Sequence, residues 1–209
     1  LINGKKFDKK IIVKPVDASG SKGVGVVNKE IDSLIKKKKI FKEALKYSRE
    51  KKVIIENYIE MQKPQIAGDG FVDQKKINFF LFKEHFSLKP NKMVPIGESH
   101  PYRELRSSEK SLLKKDISKI MSHLKYFKGP FNIDARITKN NEIFIMELGP
   151  RSGGNLIPEL IEKGYQFQYY KNSIKSSLGL KINQFNKFQD NYICSFVIHS
   201  TKSGIFKKV

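Results

Sequence analysis

Two carboxylates, one arginine and a loop of lysines, serines and glycines are the residues of this sequence whose types and spacing could do chemistry. Asp134 and Glu147 flank Asn140-Asn141 in "FNIDARITKNNEIFIMELGPRSGGN". Asparagine tolerates positive φ, so Asn140-Asn141 fits a two-residue type I′ hairpin turn. Lys139 then opposes Glu142, and stepping back along both strands sets Asp134 opposite Glu147. Directly opposed residues share a face with Cβ atoms about 4.5–5.5 Å apart, where like charges repel. The same register puts Ile133, Ala135 and Ile137 with Phe144, Met146 and Leu148 on the other, apolar face and leaves the carboxylates on the open one. Two readings fit. A cation can sit between the carboxylates, and Mg²⁺ commonly takes one or two protein carboxylates with water and substrate phosphates completing its shell. Alternatively, the pair is solvated and neutralised by Arg136 or nearby lysines.

Immediately after Glu147 come Gly149, Pro150, Arg151, Ser152, Gly153, Gly154 and Asn155. An arginine just past a strand end, followed by two glycines, can present a fixed charge and bare backbone N–H groups to an anion. A loop leading into a helix at Pro158 would explain the glycines but not the arginine. A second candidate anion site lies in "IIVKPVDASGSKGVGVV", residues 11–27. Its Gly20, Gly23 and Gly25 match neither the dinucleotide fingerprint nor the P-loop, both of which lead into a helix, whereas this loop leads into a second strand. Loop amides, the hydroxyls of Ser19 and Ser21 and the Lys22 ammonium could close over a phosphate, with Lys14 approaching from the strand end. An ordinary turn is the alternative.

The elements that position these residues read as α+β in two lobes. The first lobe has strand, loop and strand over 11–28, one bent helix or two short ones over 30–50 with Ile31, Leu34, Ile35, Phe41, Ala44 and Leu45 at helical spacing, and a strand over 52–59. The second has paired strands over 65–86 joined at Lys75-Lys76, a strand near 93–98, and a helix opened by a serine with Glu109 following. The 131–149 hairpin comes next, then helices near 158–163 and 167–178 with Gly179 as C-cap.

The 209 residues, 39% hydrophobic, suit one large domain or two small ones with a sizeable core. A net charge of +20 admits a nucleic-acid or acidic-membrane partner, but the lysines are scattered, as a solvated surface would have them. Cys194, the single cysteine, excludes an intrachain disulfide and in "YICSFVIHS" reads as a buried thiol. No apolar stretch approaches the ~20 residues of a membrane span and no signal-like segment opens the sequence, so a cytoplasmic location is expected. The start without methionine and the end within a hairpin-like stretch suggest a segment of a longer chain. His85, His100, His123 and His199 read as surface or packing residues, and "ESHPYREL", 98–105, is a minor candidate for touching substrate.

Taken together, "IIVKPVDASGSKGVGVV", "VIIENYI", "QIAGDGFV" and "GPFNIDARITKNNEIFIMELGPRSGG" resemble an ATP-grasp domain of the kind found in carbamoyl-phosphate synthase large chains and ATP-dependent carboxylate–amine ligases. The resemblance runs from about Ile11 to Gly179. It implies two α+β lobes with antiparallel sheets enclosing a nucleotide cleft: residues 1–61 a small lobe with the glycine-rich flap, 62–180 a large lobe with the metal site, and 181–209 the start of a C-terminal segment. It also implies ATP with Mg²⁺, or Mn²⁺ in its place, a small carboxylate substrate and an amine acceptor.

By the same resemblance, Lys14 reaches the nucleotide phosphates beneath a flap of Ser19, Gly20, Ser21, Lys22, Gly23 and Val24. Glu56, Asn57, Tyr58 and Ile59 form the hinge against the adenine. Gln65 stands where the family commonly has a ribose-binding glutamate. Asp134 and Glu147 match the metal ligands, and Arg151 the arginine beside the transferred phosphoryl group. Gly149 departs from the pattern, standing where many members place an asparagine ligand, and has no side chain to offer a second metal. The implied activity is carboxylate activation as an acyl phosphate followed by attack of an amine. The alternatives are a nucleotide-binding fragment without turnover, since the family's N-terminal domain is missing, and a basic nucleic-acid-binding module.

Overall fold

The short β-branched runs in "KIIVKP" and "VIIEN" form strands, and in the computed structural model they lie side by side. The structure describes residues 7–73, 76–86, 95–126, 128–183, 185, 192–198, 204–205 and 207, and they fall into two compact units divided between Glu60 and Met61. In the smaller unit β1 (Lys10–Pro15) is flanked by β2 (Gly25–Asn28) and β3 (Val53–Asn57), both antiparallel to it. Helix α1 (Leu34–Tyr47) covers one face, with Ile40, Phe41 and Ala44 packed on Ile11, Val13, Val27 and Ile55.

The helix is single and starts later than its apolar spacing suggests. Ser33 caps it, its Oγ accepting from the Lys36 amide at 3.2 Å, and Asp32 accepts from the Asn28 amide at 2.8 Å. These bonds tie down the preceding connection. Ile31, Leu34 and Ile35 therefore fall before or within the first turn, off the core stripe, and are 80%, 65% and 81% exposed.

The larger unit is built on a six-stranded sheet, β4 (Ile66–Asp73), β5 (Lys76–Phe86), β6 (Pro95–His100), β7 (Lys128–Ile137), β8 (Ile143–Gly149) and β9 (Ile193–Phe196), in the order β8-β7-β4-β5-β6-β9 with every pairing antiparallel. Period-two alternation splits its side chains between two cores. On one face Ile66, Leu81, Ile133, Ala135 and Ile137 meet Leu113, Ile117 and Met121 of α2 (Ser107–His123). On the other, Ala67, Phe71, Phe80, Phe82 and Ile193 meet Ile157, Leu160 and Ile161 of α3 (Ile157–Tyr165) and Tyr169 of α4 (Tyr169–Ser177). Central β4 is consequently buried on both sides over nearly its whole length.

The helix ends follow local chemistry. Arg106, not a serine, is the N-cap of α2, and the Glu109 carboxylate accepts from its backbone N–H at 2.7 Å. Helix α4 closes in a Schellman pattern: Gly179, at φ +74°, donates to Ser176, and Leu180 donates to Lys175. Cys194 is exposed and not buried, because the alternation of edge strand β9 sends Ile193 into the core and its neighbour away from it. Among the described residues no helix is long and apolar enough to cross a membrane.

Ile117 is fully buried between α2 and the sheet. Ile117→Ala should destabilise the larger unit by about 2–5 kcal/mol, through lost transfer energy and a residual cavity. A urea midpoint unchanged from wild type would contradict this packing.

Candidate active site

The β7–β8 hairpin turns on three residues. The Thr138 amide donates to Glu142 at 2.9 Å, the Asn141 amide donates to Thr138 at 3.0 Å, and the Thr138 hydroxyl accepts from Asn140 and Glu142. Of the two asparagines, Asn141 takes positive φ, at 61°. This geometry replaces the expected type I′ turn and shifts the adjoining pairs by one, so that Ile137 opposes Ile143, Arg136 opposes Phe144 and Ala135 opposes Ile145. A bulge then leaves Met146 without an opposite residue, and beyond it Asp134 opposes Glu147 and Ile133 opposes Leu148. The expected carboxylate pairing is present, reached through a different turn and a bulge. Ile143 and Ile145 pack on the core, while Phe144, expected there, is 43% exposed.

The opposed Glu147 bears on the protonation of Asp134. Burial, followed by the charge of Glu147, pushes the Asp134 carboxyl up to about 6, against the pull of Arg151 and Arg136. Arg151 lies just past β8, with Nη2 3.4 Å from Glu147 Oε1 and Nη1 donating to its neighbour's Ser152 carbonyl at 2.7 Å. Arg136, the alternative neutralising group, is buried and donates through Nε to Gln65 Oε1 at 2.8 Å.

Gln65 thus sits within a buried polar row running across the sheet. Its Nε2 donates to Glu84 Oε2 at 2.6 Å. Glu84 opposes Glu98 on β6, and Glu98 accepts from Asn155 Nδ2 at 2.9 Å and from the Ser195 hydroxyl at 2.6 Å. Burial, and then the charges of Asp134 and Glu98, push the Glu84 carboxyl up to about 8. A third group, Asp69 of β4, is fully buried, accepts from the Gly153 amide and from Asn132 Nδ2, and is pushed up to about 6 by burial despite those bonds. Asp69, Glu84, Glu98 and Asn132 have no marker in sequence spacing. The available signal was a charged or amide residue at a core position in an otherwise apolar alternation, as in "IAGDGFV".

In the smaller unit, Lys14 of β1 and Glu56 of β3 form an ion pair. The β1–β2 connection holds three left-handed residues, Gly20, Ser21 and Gly23, at φ of 63°, 57° and 73°. It is pinned by Lys22 N–H to Ser19 and Val24 N–H to Ser21 bonds of 3.5 and 3.2 Å, with the Lys22 side chain exposed. A Cβ on Gly23 would lie 2.9 Å from the Tyr47 ring, so both space and φ require glycine. At the end of β3, Asn57 Oδ1 accepts from the Asp8 amide at 3.0 Å, and just past it the Tyr58 amide donates to the Lys10 carbonyl at 3.0 Å; Ile59 follows, half-buried. The structure therefore groups Lys14 with Glu56 in one unit, and Asp134 with Glu147 and Arg151 in the other, where Gln65 belongs to the buried row.

The Asp134–Glu147 pair suits a hard divalent cation: both donors are carboxylate oxygens, they are directly opposed, and their mutual repulsion is what a cation relieves. Among the described residues no cluster of three or more histidine, cysteine, aspartate or glutamate side chains is arranged to hold a metal. A cation held by two carboxylates would need further oxygen ligands from outside the protein.

Residues 7–159 match the ATP-grasp domain family, and the chain belongs to that family. No curated protein matches it by sequence. Among solved structures it is similar to phosphoribosylglycinamide synthetase from Anaerococcus prevotii (24% identity, TM-score 0.64, covering 95% of this chain and 48% of that one). It is also similar to L-amino acid ligase from Bacillus licheniformis (17%, 0.72, 98% and 48%). A third match is the biotin carboxylase domain of Hydrogenobacter thermophilus 2-oxoglutarate carboxylase, solved with MgADP, ADP and bicarbonate (13%, 0.70, 88% and 40%). At these identities the likeness shows the ATP-grasp fold, and the chain spans less than half the length of each of these structures.

Folding raises the Glu84 carboxyl from 4.5 to about 8, so the native state keeps a proton that the unfolded chain has released. The stability this proton supports is fully present below about pH 4.5 and is lost as pH rises towards about 8. Glu84→Gln keeps a neutral group there. Its melting temperature should fall less than that of wild type between about pH 5 and about pH 8; parallel melting curves would contradict a neutral buried carboxyl.

Proposed function

We propose that the protein containing this chain is an ATP-dependent ligase that activates a small carboxylate as an acyl phosphate for attack by an amine, forming a carbon–nitrogen bond. The observation that carries this reading is the Asp134–Glu147 pair with Arg151 beside it, on an ATP-grasp fold. The ligases and carboxylase that share the fold support it.

In this reading the terminal phosphorus–oxygen bond of ATP breaks, ADP leaves, and the phosphoryl group passes to a carboxylate oxygen. The amine then attacks the acyl carbon and inorganic phosphate leaves. Asp134 and Glu147 hold Mg²⁺, or Mn²⁺, which when bound supplies positive charge to phosphate oxygens. Lys14, Lys22 and Arg151 absorb charge that spreads over the phosphoryl oxygens, with Ser19, Gly20, Ser21, Gly23 and Val24 contributing amides and hydroxyls. Glu56, which pairs with Lys14 through Oε2, accepts from the adenine amino group, and the backbone at Asn57, Tyr58 and Ile59 lines the base. Gln65, whose amide is bonded to Glu84 and Arg136, contacts the ribose hydroxyls. With Gly149 in place of a side-chain donor, the residues support one metal more readily than two.

Calorimetric titration of ATP with and without Mg²⁺ tests the reading. Wild type should bind ATP in a Mg²⁺-dependent manner, and Asp134→Ala combined with Glu147→Ala should remove that dependence. Wild-type affinity in the double variant would overturn the assignment. So would steeply salt-dependent binding of DNA or RNA, indifferent to both substitutions, in a protein that does not bind ATP.

A further inference from the structure

Asp69 occupies the middle of the central strand of the larger sheet and is fully buried, a costly place for a carboxylate unless its oxygens are bonded. Both oxygens accept from the backbone N–H of Gly153, at 2.9 and 2.7 Å, and Oδ1 also accepts from Asn132 Nδ2 at 3.0 Å. Asn132 is itself held, its Nδ2 donating to the Gly68 carbonyl at 3.0 Å. The contact is closely fitted: a Cβ on Gly153 would lie 2.4 Å from Asp69 Oδ1 and 2.9 Å from Asn132 Nδ2, so the loop reaches the carboxylate only through a glycine.

Gly153 lies two residues beyond Arg151, in the loop between β8 and α3. That short stretch is therefore fixed at one end by the β8 ladder, where Gly149 opposes Asn132, and at the other by the Asp69 bond. Asn132 serves both ends. An arginine between two such anchors has its backbone held at both ends, and its half-exposed side chain is bonded to Ser152 and reaches Glu147 at 3.4 Å.

We infer that Asp69 is a positioning residue that acts through the Gly153 amide to hold Arg151 beside the Asp134–Glu147 pair. This rests on the reading of Arg151 as a group that absorbs charge during phosphoryl transfer. Asp69 touches no reacting atom; it restricts where the guanidinium can be.

The test is a double-mutant cycle in the full-length protein, with ADP release from MgATP as the readout. Asp69→Ala should lower kcat by at least about tenfold while the KM for ATP changes less than about threefold. In an Arg151→Ala background the same substitution should cost less than about twofold, because its effect passes through the arginine. Gly153→Ala, which wedges the latch from the loop side and leaves Asp69 in place, should reproduce the kcat loss. Equal losses in both backgrounds would mark Asp69 as merely structural and overturn the inference while leaving the Arg151 reading intact. If Arg151→Ala alone leaves ADP release unchanged, the Arg151 reading itself falls, and the inference with it. Should Asp69→Ala not fold, hydrogen exchange at the Gly153 amide in wild type decides the latch: strong protection is expected, and exchange as fast as at an open loop amide would overturn it.

Discussion

Two carboxylates set directly against each other repel, and the larger unit holds one such pair, Glu84 against Glu98, between β5 and β6 and another on a rung of the β7–β8 ladder. The rung exists because the strands carry an extra residue, Met146, between Ile145 and Glu147. Without that bulge the register set by the turn would bring Met146 opposite Asp134 and place Glu147 opposite Ile133, on the face that packs against α2. A single unpaired backbone position thus decides whether Glu147 falls on the core face or opposite Asp134. Much of the surrounding polar structure can be read as support for that rung: Arg151 on the glutamate side, Arg136 acting on Asp134 from two residues along its own strand, and the Gln65–Glu84 pair bonded behind it.

The charge distribution has the same emphasis. The chain has 41 basic and 21 acidic residues, yet Asp69, Glu84, Glu98, Asp134 and Glu147 all fall on the sheet face that packs against α3 and α4. Three of them are nine-tenths or more buried, where an unpaired charge would be expensive. The fold meets that cost with bonds from Gly153, Gln65, Asn155 and Ser195, and with protons retained on Glu84 at neutral pH. A net charge of +20 therefore describes the protein's surface and says little about its sheet.

The Asp134–Glu147 opposition was expected from the sequence because a hairpin is local, but from a register one residue off beside the turn, an offset that the bulge at Met146 cancels. Its details were not. Whether Asn140 joins Asn141 at positive φ depends on the Thr138 hydroxyl, and nothing in the local pattern marks the bulge at Met146. The polar row could not be read at all, since Arg136, Glu84 and Glu98 come from three strands and Gln65 from the residue before a fourth, and their adjacency is set by the sheet order. Apolar spacing also overran the true start of α1, where the cap at Ser33 decides and Ile31 lies beyond it. In the smaller unit the run of glycine and serine was legible as a loop between two strands, and three of its residues over four positions are left-handed. Its role towards phosphate rests on the family resemblance.

The central claim, that the opposed carboxylates of β7 and β8 hold the divalent cation that accompanies ATP, can be tested without a known substrate. Mn²⁺ added with ATP to the isotopically labelled protein should broaden the NMR resonances of residues 132–136 and 146–149 more strongly than those of any other strand. Broadening that spares both strands would contradict the claim.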